Sequence, residues 1–116
     1  MRVAIISRRP PYGDISAAEA VRHAMGGIAD ELSIVLILVD GGVLLAKKGQ
    51  DISDTGFTNL ENTLKDCIDM GVEVLVDKSS MKEHYLEVDN LVDGVKIVNS
   101  HEIAEVVKES DRVMIF

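Results

Sequence analysis

Leu32-Ser-Ile-Val-Leu-Ile-Leu-Val39, closed at once by Asp40-Gly41-Gly42, is the stretch whose reading decides the fold. Its apolar residues run on without alternation and are rich in β-branched types, the pattern of a strand buried on both faces. The run is far too short for a bilayer, which needs about 20 apolar residues, and the Asp-Gly-Gly that follows is turn chemistry. It is therefore expected to be the central strand of a parallel sheet. Arg2-Val-Ala-Ile-Ile-Ser7, Val72-Glu-Val-Leu-Val76, Val95-Lys-Ile-Val98 and Arg112-Val-Met-Ile-Phe116 read as its companions.

Between these strands lie segments with apolar residues at helical spacing. Ser16-Ala-Ala-Glu19 has the form of a capping box, and Ala20, Val21, Ala24, Met25 and Ile28 follow it, predicting a helix over 16–29. Gly26-Gly27 weaken its last turn, since each glycine costs about 1 kcal/mol against alanine inside a helix. Thr58-Asn-Leu-Glu61 opens a second helix with Phe57, Leu60, Leu64, Cys67 and Ile68 on one face and Gly71 beyond its end. Ser80-Met-Lys-Glu83 and Asn99-Ser-His-Glu102 predict two more N-termini, the last followed by Ile103, Val106 and Val107. Strands alternating with helices make βαβ units with right-handed crossovers. The reading is an α/β chain, a three-layer α/β/α sandwich on a five-stranded, mainly parallel sheet, flavodoxin-like in outline, forming one domain over 1–116.

Composition narrows the function. Twenty acidic against 12 basic residues leave a net charge of −8, which repels phosphate backbones and anionic membranes. Neither direct nucleic-acid binding nor a membrane partner is expected. One cysteine excludes an internal disulfide framework and suits a reducing, cytoplasmic setting. Val3 to Ile6 is too short for the apolar region of a signal peptide. No bound cofactor is implied.

Ligands of open parallel sheets gather at the carboxyl ends of the strands. Here those ends are Ser7 to Asp14, Asp40 to Gly42, Asp77 to Met81 and Asn99 to His101. Ser7-Arg-Arg-Pro-Pro-Tyr-Gly-Asp14 lacks the glycine spacing of a dinucleotide or phosphate loop. Arg8 and Arg9 can grip an anion, although paired arginines beside a turn are more often solvated or part of an interface. Pro10 and Pro11 stiffen a surface suited to a partner, and Tyr12 is the aromatic that an interface favours. Asp77 can cap the next helix or hold a cation, and helix capping is the commoner role. Val43 to Leu45 is a second place where a partner is expected.

Cys67 is the one residue that offers thiol chemistry. It lies three residues after Leu64 on an apolar helix face, beside Asp66 and Asp69, whereas a reactive thiol needs exposure and positive surroundings. His23, His84 and His101 fall on different segments with no metal-ligand spacing, and no metal site is expected.

The order of motifs resembles the DsrE/DsrF-like sulfur-relay family, and within it the DsrF/TusC branch. The resemblance rests on Ile5-Ile-Ser-Arg-Arg-Pro-Pro-Tyr-Gly13, the helix carrying Glu19, Asp40-Gly-Gly-Val-Leu-Leu45 and Lys48-Gly-Gln50. It continues through Val72-Glu-Val-Leu-Val-Asp-Lys-Ser-Ser-Met81 and Ser110-Asp-Arg-Val-Met-Ile-Phe116. It implies a small α/β/α subunit of a homo-oligomer, or of a hetero-oligomer with other DsrE-family subunits, serving persulfide transfer in tRNA thiolation or sulfur metabolism. Carriers of this family place their working cysteine after the third main strand, where this chain has Asp77. The resemblance thus implies a non-carrier, docking subunit with no independent catalytic activity, working beside a sulfur-carrier protein. Arg8, Arg9, Tyr12, Gly13, Asp40, Gly41, Asp77, Ser79 and Ser80 are its candidate binding or interface residues. The alternatives are a persulfide carrier using Cys67 and an anion-binding module using Arg8 and Arg9.

Overall fold

The computed structural model describes residues 1–13, 15–50 and 59–116. Five strands, β1 (Arg2–Ser7), β2 (Ser33–Leu38), β3 (Glu73–Asp77), β4 (Lys96–Val98) and β5 (Arg112–Ile115), form one sheet in the order β4-β3-β2-β1-β5. Every pairing is parallel. The apolar run that suggested a central strand lies at the centre, with Ile34 to Leu38 buried. Val35 pairs with Ala4 on one side and Glu73 on the other.

Period-two alternation divides the strand side chains between two cores. Val3, Ile5, Leu36, Leu38, Val74 and Val76 pack beneath α1 (Ser16–Ala29), α2 (Leu60–Asp69), α3 (Lys78–Glu83) and a 3-10 turn over Asp40–Ala46. Ala4, Val35, Ile37, Leu75 and Val98 face the other way, toward Ile103, Val106 and Val107 of α4 (Ser100–Glu109). The first three crossovers march toward β4, and the last spans the sheet back to β5. Reversing direction with crossovers of one hand places α4 on the opposite face, which completes the three layers.

The helix ends show where local signals held and where packing chose otherwise. At α4 the Asn99 side chain accepts from the Glu102 amide at 2.8 Å while Glu102 accepts from the Asn99 amide, the expected capping box. At α1 the N-cap position is Ile15, and Glu19 pairs with Arg22 rather than reaching back to a cap. At α2 the cap is Asn59, one residue after the expected Thr58, which lies outside the described residues with Phe57. At α3 the cap is Asp77, so Ser80 is the third helical residue and not the cap. Val43 and Leu45 are fully buried within the 3-10 turn, which removes them from the surface where a partner was expected.

Candidate functional site

At the carboxyl ends of β2 and β3, three of the expected residues meet. Asp40 adopts a left-handed backbone, φ 50°, and its amide donates to Ser80 Oγ at 2.8 Å. Ser80 Oγ donates in turn to Asp77 Oδ2 at 2.6 Å, and the Ser80 amide donates to the same oxygen at 3.2 Å. Asp77 is thus occupied as cap and anchor through one oxygen. Its Oδ1 is buried with no hydrogen-bond partner among the described residues. Beside this chain Gly41 packs against Pro10, and Gly42 sits against the Ser7 carbonyl. Asp-Gly-Gly is therefore needed for close approach between the ends of β1 and β2, beyond its turn propensity.

A second hydrogen-bonded cluster ties the loop after β1 to the start of α2. Tyr12 is half-buried rather than an exposed loop tip: its hydroxyl donates to Gln50 Oε1 at 2.7 Å and accepts from the Leu60 amide at 3.2 Å. Gln50 Nε2 donates to the Leu45 and Lys47 carbonyls, each at 2.9 Å, and its amide donates to Glu61 Oε1 at 2.9 Å. Burial pushes the Glu61 carboxyl up, but the Gln50 amide, the Lys65 ammonium 3.1 Å away and the Gly49 amide outweigh it and hold the group below the usual carboxylate range. Sequence reasoning took Glu61 only as part of a cap, and Gln50 only as part of Lys-Gly-Gln. The hydrophobic spacing around α2 could not reveal what those polar atoms reach.

This charge has a measurable consequence. A group with a lowered folded pKa contributes stability above its unfolded value, near 4.3 for Glu, and loses it as pH falls through the folded value. Glu61→Gln is expected to cost about 1.5–3 kcal/mol at pH 7, the worth of hydrogen bonds to a charged group. In urea melts the gap between wild type and variant should narrow as pH falls below the unfolded value. A gap that stays constant with pH would assign the loss to packing alone.

Cys67 is completely buried on α2, and its carbonyl accepts from the Val72 amide at the turn into β3. That places it toward the amino ends of the strands, away from the loops just described. Burial, reinforced by Asp66, pushes its thiol up to about 11. Arg8 and Arg9 are exposed, as are Gly13 and Ser79. Gly13 takes the left-handed backbone, φ 93°. His23 is partly buried, with Nδ1 2.7 Å from the Glu19 carbonyl oxygen and its ring 5.1 Å from that of Phe116. His84 caps the end of α3, and His101 is exposed in the first turn of α4.

The family model of the DsrE/DsrF-like family matches residues 1–116. An uncharacterized protein of Methanocaldococcus jannaschii is 32% identical over 116 residues, the whole of both chains. The intracellular sulfur oxidation protein DsrF of Allochromatium vinosum is 29% identical, covering 96% of this chain and 93% of its own length. A TusC homolog of Pseudomonas aeruginosa is 27% identical, covering 95% and 93% respectively. The crystal structure of the E. coli ychN protein superposes with a TM-score of 0.92 at 24% identity, covering 100% of this chain and 99% of that one. No helix among the described residues is long and apolar enough to cross a membrane.

Proposed function

Because the chain belongs to the DsrE/DsrF-like family, we propose that it is a non-carrier subunit of a sulfur-relay assembly of the DsrF/TusC type. It works inside the cell and docks beside DsrE-family subunits or a sulfur-carrier protein, whose cysteine bears the persulfide. One observation carries the reading: the side chain at the end of β3 is a carboxylate committed to Ser80, and the chain's single thiol is enclosed in the core. A carboxylate cannot accept sulfane sulfur. A thiol with a pKa near 11 and no exposure supplies almost no thiolate at neutral pH. The strand-end loops remain available to shape a partner's site, held by the Asp40–Ser80–Asp77 chain and by Tyr12, Gln50 and Glu61.

The test is intact-mass analysis of native protein after incubation with a persulfidated donor, beside a urea-unfolded control. The expected result is one added sulfur on the unfolded chain and none on the folded one. Addition to the folded chain, abolished by Cys67→Ala, would make this protein a carrier.

A further inference from the structure

The end of α3 holds a residue that its own fold does not explain. The Leu86 amide donates to the Met81 carbonyl and the Tyr85 amide to the Lys82 carbonyl, at 2.9 and 3.2 Å, the double closure of a Schellman cap. Tyr85 occupies the left-handed position of that cap, φ 57°, where glycine sits without strain. Its side chain is 92% exposed. An aromatic residue in a conformation that suits glycine, with almost none of its surface buried in its own chain, has the character of an interface anchor.

The surroundings give that interface a chemistry. Tyr85 borders a groove of about 400 Å³ lined by Met81, Leu86 and Ile97, with Val88, itself 65% exposed, on the same surface. Lys78 and Lys82, one helical turn apart on α3, form one side of it. Both are exposed, and neither makes an ion pair among the described residues, although acidic side chains outnumber basic ones 20 to 12 in the chain. Glu87 lines the groove as well and disfavours an occupant that is acidic throughout.

We infer that this groove docks an acidic segment of a partner protein, which inserts an apolar side chain against Tyr85 and Ile97 and sets carboxylates on Lys78 and Lys82. The inference deepens the docking reading by naming a surface and a partner chemistry. It begins one residue after Asp77, so a segment held there lies next to the end of β3. The result of the sulfur-addition experiment does not depend on it.

The test uses the full chain and a randomised twelve-residue peptide library displayed on phage, with selected peptides synthesised and titrated. The expected consensus carries an aromatic or aliphatic residue flanked by Asp or Glu. Affinity should fall at least tenfold for Tyr85→Gly and for Lys82→Glu, and weaken with added salt. Tyr85→Gly relieves the left-handed strain, so its thermal midpoint should equal or exceed that of wild type while binding is lost. A merely structural Tyr85 would lower the midpoint instead. A neutral or basic consensus, no enriched peptide, or peptides that bind Tyr85→Gly as well as wild type would overturn the proposal. So would light scattering that shows a wild-type dimer converted to monomer by Tyr85→Gly, because a second copy would then be the occupant.

Discussion

Gly42→Ala is expected to prevent folding or to lower the thermal midpoint by more than 10 °C. A Cβ at this position overlaps the Ser7 carbonyl oxygen and lies 2.8 Å from its carbon. These are backbone atoms at the end of β1, whose carbonyl also accepts from the Val39 amide at 3.1 Å, so neither partner can step aside without breaking the β1–β2 junction. Overpacking costs about 1–3 kcal/mol and occasionally more; overlap with fixed backbone atoms belongs at or above the top of that range, and each kcal/mol is about 4 °C in a domain of this size. Gly26→Ala is the control. A methyl there meets nothing within 4 Å, and alanine favours the helix by up to about 1 kcal/mol, so the midpoint should rise. Thermal melts of both variants check the contrast, and a Gly42→Ala protein as stable as wild type would show that the strand ends are not packed as described.

The second large effect concerns Cys67. Its thiol is pushed up to about 11 from an ordinary 9.0, so between those values the folded chain holds a proton that the unfolded chain has released. Stability therefore falls as pH rises, by about 1.4 kcal/mol per pH unit across that window, and levels off above it. Cys67→Ala removes this dependence. Wild type should hold a constant packing advantage below pH 9 and lose it progressively toward pH 11. The same burial governs reactivity. At pH 8 a disulfide reagent should modify native protein at least about 100-fold more slowly than urea-unfolded protein, from the thiolate fraction alone. Native labelling within tenfold of the unfolded rate would place Cys67 at the surface and remove the main support for the non-carrier reading.

Most of the architecture was legible because it depends on local repetition. An unbroken apolar run such as Ile34 to Leu38 has few places to go other than the middle of a sheet, and Asn99 with Glu102 closes its cap within a single turn. The family resemblance was legible for a related reason, since its motifs sit at strand ends whose order the alternation of strands and helices already sets. The errors share another cause. Ser16 and Ser80 both had capping spacing, yet neither is the cap: α1 spans the expected Ser16–Ala29 but its cap position is Ile15, and at α3 the cap is Asp77, placed by β3. Val43, Leu45 and Tyr12 were expected to meet a partner, but the 3-10 turn buries the first two and Gln50 holds the third. Glu61 and Tyr85 escaped notice, since nothing in a one-dimensional pattern separates a solvated glutamate from one gripping an amide ten or more residues away, or a core tyrosine from a displayed one.

By itself the amino-acid sequence determined the strands, the helices, the parallel layering and the absence of a thiol at position 77, because these follow from side-chain type and from spacings of two and three to four residues. Only the tertiary structure decided which polar atoms meet. Ser80 came to join Asp77 to the Asp40 amide, Gln50 to join Tyr12 to Glu61, and Tyr85 was left exposed on the edge of a groove flanked by lysines. The reason is physical: hydrogen bonds and burial depend on distances between residues remote in sequence, and those distances exist only once the sheet has drawn its strands together.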